Sequence, residues 1–357
     1  MQALRQTTGS HVAVLDGLRA AAIALVLLYH LTPMRDPNLG LLALPFKLAT
    51  IGWSGVDLFF VLSGFLITTK LLAARDDEHR FRDFYVRRAL RIFPLYYGVL
   101  FVLMCVGRPP LFVQLPYWLY YSNFIAHLLP TDAFAPVGHF WSLAIEEQFY
   151  FVWPAIIFFC RKRTAMAICI TIAIAAPLLR FTFASQGFEW NATYGWTFSR
   201  ADGLVLGALI AIAGTSKRLA WIALIATTPF LGWAIWRNKA INVVINNPTD
   251  EGVWLRTLLP AIVSLFFAAV LMLALEHRPR ILESKPLRVI ATYSYGMYVF
   301  HFMLMPTLMD VLPLEEFSRN VAATLLFVVG SIASFACGAI SYHAYESFFL
   351  RMKSRFA

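Results

Sequence analysis

An arginine and a histidine with ten residues between them, Arg19 and His30, stand in one apolar stretch near the start of the chain. Charged or ionisable side chains in such a stretch usually face a protein interior and mark a pathway or a site. At 100° per residue, eleven positions return to within about 20° of the same helix face and advance about 16 Å, so both side chains can line one cavity at different depths. An imidazole there suits proton transfer, because its ordinary pKa lies near neutrality. A guanidinium suits a phosphate or a developing oxyanion. The purely structural alternative pairs Arg19 with Asp16, three residues away on the same face. Another acid, Asp57, sits among Gly52, Gly55 and Gly64 in GWSGVDLFFVLSGFLIT, and Arg19 or His30 is its expected partner.

Further along, FYVRRALRIFPLYY gathers Arg87, Arg88 and Arg91 with Phe84, Tyr85 and Tyr96. Guanidinium forks bind phosphate and stack on rings, so this cluster suits a nucleotide-bearing cofactor. Simple flanking charge at a membrane surface is the plainer alternative. In HFWSLAIEEQFYFVWP, His139, Ser142 and Glu146 share a helix face, but no strained nucleophile turn or oxyanion site accompanies them, and a hydrolytic triad is not expected. Glu146 and Glu147 point about 100° apart. At least one is therefore expected to face the interior, to hold a cation or to orient a histidine. Arg200, Asp202, His301, His343 and Glu346 are each explicable as buried or interfacial polar groups, with His301 evenly balanced between structure and site.

The elements that must carry these residues follow from composition. Of 357 residues, 59% are hydrophobic and 14% charged. Soluble chains carry roughly 25% charged residues, so the composition excludes a soluble multidomain protein and a disordered one. Cys105, Cys160, Cys169 and Cys337 lie in or beside apolar runs and read as packing residues, which excludes a disulfide scaffold. The net charge of +10 reads as a topological signal rather than as affinity for nucleic acid. A membrane-spanning helix needs about 20 apolar residues, and ten segments meet or approach that: 12–31, 51–72, 90–106, 140–159, 164–183, 201–213, 219–236, 254–275, 287–308 and 321–345. The sixth is short. Segment 111–129 is aromatic and punctuated by proline, and it is expected to lie at the interface or re-enter rather than cross. With ten crossings most basic residues, Lys70 to Arg91 and Arg278 to Arg288 among them, fall on one side, so both termini are expected in the cytoplasm. The fold expected is an all-α polytopic bundle in the plasma (inner) membrane. Residues 1–357 are expected to form a single domain, with no signal peptide and no appended soluble domain.

The blocks LDGLRA with its later histidine, GWSGVDLFFVLSGFLIT, RRALRIFP, WSLAIEEQFYFVWP, RADGLVLGA and SYGMYVFH, in that order, resemble acyltransferase family 3, a family of integral-membrane O-acyltransferases. The resemblance implies transfer of an acyl group, often acetyl, from cytoplasmic acyl-CoA to a hydroxyl. The acceptor implied is a polysaccharide, lipid-linked glycan, peptidoglycan or small metabolite. It maps the essential arginine and histidine of the family onto Arg19 and His30, its arginine-rich motif onto Arg87, Arg88 and Arg91, and its tryptophan-serine-leucine-glutamate block onto residues 141–147. His30 is expected to act as general base on the acceptor hydroxyl or, alternatively, as a covalent acyl relay, with Asp57 or Glu147 setting its tautomer. Arg87, Arg88 and Arg91 would hold CoA phosphates, and Arg19 the pantetheine path or the thioester oxygen. No metal is expected, and partners beyond donor and acceptor are membrane lipids. Two departures stand out: many members continue into an extracytoplasmic esterase-like domain where this sequence stops at Ala357, and Ser347 follows Glu346 where a proline is common. The competing reading is a transporter or flippase of an anionic or glycan substrate that uses the same buried charges as its pathway.

Overall fold

A computed structural model describes residues 12–33, 44–107, 111–125, 136–236 and 250–356, and every regular element among them is helical. Ten principal helices follow the ten apolar segments: α1 (Ala13–His30), α2 (Gly55–Ala73), α3 (Arg80–Cys105), α4 (Trp141–Phe159), α5 (Lys162–Ser185), α6 (Asp202–Ala213), α7 (Lys217–Trp236), α8 (Asp250–His277), α9 (Lys285–Val311) and α10 (Arg319–Ser341). Seven helices are long and apolar enough to cross a membrane: those built on α1, α2, α3, α5, α7, α8 and α10. Helix α6, at 12 residues, is shorter, about 18 Å against a hydrocarbon core of about 30 Å. Helices α4 and α9 are long but more polar, since they carry Ser142, Glu146, Glu147 and Gln148, and Ser294, Tyr295, Tyr298 and His301.

Helix α3 begins ten residues earlier than its apolar segment. Its first three turns, Arg80 to Ala89, are amphipathic and continue the helix beyond the hydrophobic run. Segment 111–129 gives only the short helices Leu111–Trp118 and Ser122–Ile125 among its described residues, neither long enough to cross. Asp16 in the first turn of α1 and His30 in its last turn sit where the helix dipole favours an acid and a base respectively. Arg5, Arg35, Arg108 and most of the polar stretch 237–252 lie outside the described residues.

Close packing of α2 against α6 sets the frame. A Cβ on Gly207 would lie 1.9 Å from the Val61 carbonyl oxygen, and one on Gly64 would lie 1.8 Å from that of Leu204. With no hydrophobic force between helices in lipid, such glycines bring backbones together and let dispersion hold them. Gly207→Ala is expected to force α2 and α6 apart and to lower stability by about 1–3 kcal/mol, the usual cost of overpacking. Thermal unfolding in detergent checks this, and an unchanged midpoint would mean the contact is slack.

Candidate active site

A narrow cavity of about 100 Å³ runs among α1, α2, α3, α4 and α9. Arg19, Arg88 and Arg91 line it, together with Ser63, Ser142, Glu146, Tyr150, Ser294, Tyr295 and Tyr298. The helical repeat explains the grouping. Ser142, Glu146 and Tyr150 recur every four residues and form one stripe of α4, while Ser294, Tyr295 and Tyr298 share a face of α9. Ser63 donates to Glu146 Oε1 at 2.5 Å, and the Arg88 guanidinium lies 4.4 Å from the centre of the Tyr150 ring. The carboxylate of Glu146 thus borders the same space as three guanidiniums and offsets part of their charge. Arg87 does not join them; its Nε donates to the backbone oxygen of Asp83 at 3.0 Å.

Beyond the arginines, α4 and α9 lead to three histidines. The hydroxyls of Ser142 and Tyr298 lie 2.5 Å apart, and both reach the carbonyl oxygen of His139, at 3.2 and 3.0 Å. Ser142 therefore serves Tyr298 and a backbone oxygen instead of an imidazole nitrogen, as expected for a site without a hydrolytic triad. The Tyr298 ring packs 5.2 Å from that of His139 and 5.5 Å from that of His301. His301 is fully buried. Its Nε2 lies 3.3 Å from His30 Nδ1, and its Nδ1 lies 2.6 Å from the Tyr298 carbonyl oxygen. The cavity that Arg19 lines does not have His30 among its lining residues. Tyr298 is one of that cavity's lining residues, and His30 stands against His301 and Phe302. Helix α9 presents Tyr298 and His301 one turn apart, with His301 toward the end of α1.

Two expected partnerships are replaced. Asp57 meets neither Arg19 nor His30: Arg200 lies 2.8 Å from its Oδ1, and Ser264 donates to the same oxygen at 3.3 Å. Gly203 explains this, since it lets the start of α6 approach α2 beside Asp57. Glu147 borders a wider groove of about 720 Å³ between α3 and α4, with Tyr85, Tyr97, Tyr120 and Gln148. It points about 100° from Glu146, and Glu146 takes the cavity side. Arg88 and Tyr150 stand between the two spaces and line both.

Sequence reasoning passed over Tyr298, although its position three residues before His301 was a usable signal. It also missed Lys353. The turn Lys353–Phe356 packs on α3, and burial, then Arg91, Lys70 and Arg88, push the Lys353 ammonium down to about 7. Its distance in sequence from those cations left no signal. Among the described residues no group of three or more His, Cys, Asp or Glu side chains could hold a metal ion.

The described residues thus form a helical bundle with seven helices long and apolar enough to cross a membrane, a cavity lined by three arginines, and imidazoles beside it. Residues 12–343 match the family described as an acyltransferase domain, and the chain belongs to that family. It is 31% identical over 369 residues to the "Putative peptidoglycan O-acetyltransferase YrhL" of Bacillus subtilis, covering 94% of this chain and 54% of that protein. It is 28% identical to the peptidoglycan O-acetyltransferase OatA of Listeria monocytogenes, over 94% of this chain and 55% of the relative. The chain spans about half the length of the curated relatives it matches. No solved structure matches it.

Proposed function

We propose that this chain is a multi-pass O-acyltransferase of the plasma (inner) membrane, with ten crossings and both termini in the cytoplasm, forming one membrane domain over residues 1–357. It moves an acyl group, acetyl in the simplest case, from cytoplasmic acyl-CoA to a hydroxyl of a cell-envelope or exported glycan or of a small metabolite. The single observation that carries this reading is the cavity whose cations, Arg19, Arg88 and Arg91, adjoin the layer of Tyr298, His301 and His30. At about 100 Å³ it is too small for a nucleotide. The phosphate-bearing end of the donor therefore sits at the cationic mouth, with Arg88 and Arg91 as its main ligands and Arg87 at the periphery, while the slender thioester arm passes Arg19.

His30 acts as the base. It takes the acceptor hydroxyl proton as the oxygen attacks the thioester carbonyl; the carbon–oxygen bond forms, the carbon–sulfur bond breaks, and the proton passes to the departing CoA sulfur. The cavity contributes by aligning the reactants and keeping water out. Family membership and the names of the relatives, two of them peptidoglycan O-acetyltransferases, support a glycan hydroxyl as acceptor. Asp57 and Glu147 take supporting places in this scheme: Asp57 fixes α2 through Arg200, and Glu147 lines the groove that Arg88 and Tyr150 also border. Membranes containing the chain, supplied with radiolabelled acetyl-CoA and peptidoglycan fragments, are expected to form base-labile acetyl esters. Absence of ester with folded protein would reject the reading.

Donor binding carries its own prediction. Arg88→Gln and Arg91→Gln are each expected to weaken acetyl-CoA affinity about tenfold, the order expected when a charge-assisted phosphate contact is lost. Equilibrium binding to the purified protein checks this, and unchanged affinity would move the phosphate site. Lys353 adds a pH dependence. Its ammonium is half neutral near pH 7 in the ligand-free protein, so a polyphosphate that favours the charged form draws in a proton. Affinity should then fall as pH rises above about 7, and Lys353→Met should flatten that fall. Between about 7 and the ordinary lysine value the unfolded chain binds more protons at this site, so its contribution to stability rises with pH.

A further inference from the structure

We propose that His301 positions His30, holding the proton on Nδ1 of His30 so that Nε2 presents the lone pair that receives the acceptor proton. This rests on reading His30 as the base, and it replaces Asp57 and Glu147 in the orienting role. The argument needs only the direction of hydrogen bonds. A backbone carbonyl oxygen only accepts, so the 2.6 Å contact from His301 Nδ1 to the Tyr298 oxygen requires the proton of His301 on Nδ1. A second proton would leave a charge on a fully buried ring packed between two other imidazoles. His301 is therefore neutral, and its Nε2 accepts.

The atom 3.3 Å from that acceptor is His30 Nδ1. The same nitrogen lies 3.1 Å from the Val26 carbonyl oxygen, one turn back on α1. Both neighbours accept, so both require hydrogen on Nδ1, and the lone pair of His30 falls to Nε2. When Nε2 takes the hydroxyl proton, His30 becomes an imidazolium, and His301 stabilises it through the hydrogen bond already in place. A neutral imidazole thus does here what a carboxylate does in the serine hydrolase triad. The carbonyl of residue 298 orients the ring of His301, and the same residue lines the cavity.

His301→Phe keeps the shape of the ring and removes the acceptor; His301→Gln offers its amide oxygen close to the position of Nε2. In membranes with radiolabelled acetyl-CoA and peptidoglycan fragments, His301→Phe is expected to lower kcat about ten- to hundredfold, the worth of a hydrogen bond to a charged group. The KM for acetyl-CoA should not change, and His301→Gln should recover most of the loss. Equal loss in both variants, or loss confined to KM, would make His301 a packing residue and overturn the proposal, as would wild-type kcat in His301→Phe. Nitrogen-15 spectra of histidine-labelled wild-type protein read the tautomer without turnover. The hydrogen of His30 on Nδ1 supports the proposal even where no transfer from acetyl-CoA is seen, an outcome that counts against the function alone, and hydrogen on Nε2 overturns it.

Discussion

His30→Gln is expected to lower turnover about 10²- to 10⁴-fold, the usual contribution of a positioned general base, with expression and acetyl-CoA affinity retained. The separation of the two effects follows from geometry. His30 ends α1 beside His301 and Phe302, whereas the arginines that would hold the donor line a cavity in which His30 is not a lining residue. Glutamine offers an amide of similar reach that neither accepts a proton near neutral pH nor carries one away. Initial rates at matched expression, beside equilibrium binding of acetyl-CoA, make the comparison. Near-normal turnover would remove His30 from the chemistry, and lost donor affinity would mean that the substitution disturbs the bundle.

The largest effect on stability is expected at Asp57 and Arg200. Both are fully buried, 2.8 Å apart, and the guanidinium lies 4.1 Å from the centre of the Tyr194 ring and 5.6 Å from that of Phe60. A second buried pair, Arg180 and Asp202 at 2.8 Å, adjoins it in sequence, and Arg180 also donates to the Thr257 carbonyl oxygen at 3.1 Å. The two pairs tie α2, α5, α6 and α8 together through polar contacts away from water. Removing one partner strands the other charge, a loss of about 3–5 kcal/mol, whereas replacing both by apolar groups is often neutral. Asp57→Leu and Arg200→Met are therefore each expected to unfold far more readily than the wild type, and the double variant to recover much of the loss. Thermal unfolding in detergent measures all three. Additive losses in the double variant would show that the pair does not act as a unit.

Much of this was legible before any coordinates. Apolar runs of helical length located all ten principal helices, because a chain that must satisfy its backbone in lipid has few alternatives to the helix. Arg19, Arg88 and Arg91 were marked by the cost of placing guanidiniums in apolar sequence, and the helical repeat correctly turned one of two adjacent glutamates inward. What was not legible depended on which helices pack together. Asp57 was assigned to the preceding helix because that neighbour is close in sequence; its partner Arg200 belongs to a segment reached only through the glycine contacts of α2 and α6. The same limit hid the contact between His30 and His301, which are 271 positions apart. It also led Glu147 and Asp57 to be placed beside a ring that α9 reaches first. Arg87 looked equivalent to Arg88 and Arg91, but its Nε donates to its own helix backbone, at the Asp83 carbonyl oxygen.

If cations at one end and an imidazole at the other form a single transfer route, donor and acceptor should react from opposite faces of the bundle. Vesicles reconstituted with the chain in one orientation, with radiolabelled acetyl-CoA sealed on the face that carries Lys353 and peptidoglycan fragments supplied only to the opposite face, test this. Labelled ester on the fragments, absent with His30→Gln, is the predicted result. Ester formed only when donor and fragments share one compartment, or formed equally without His30, would contradict it.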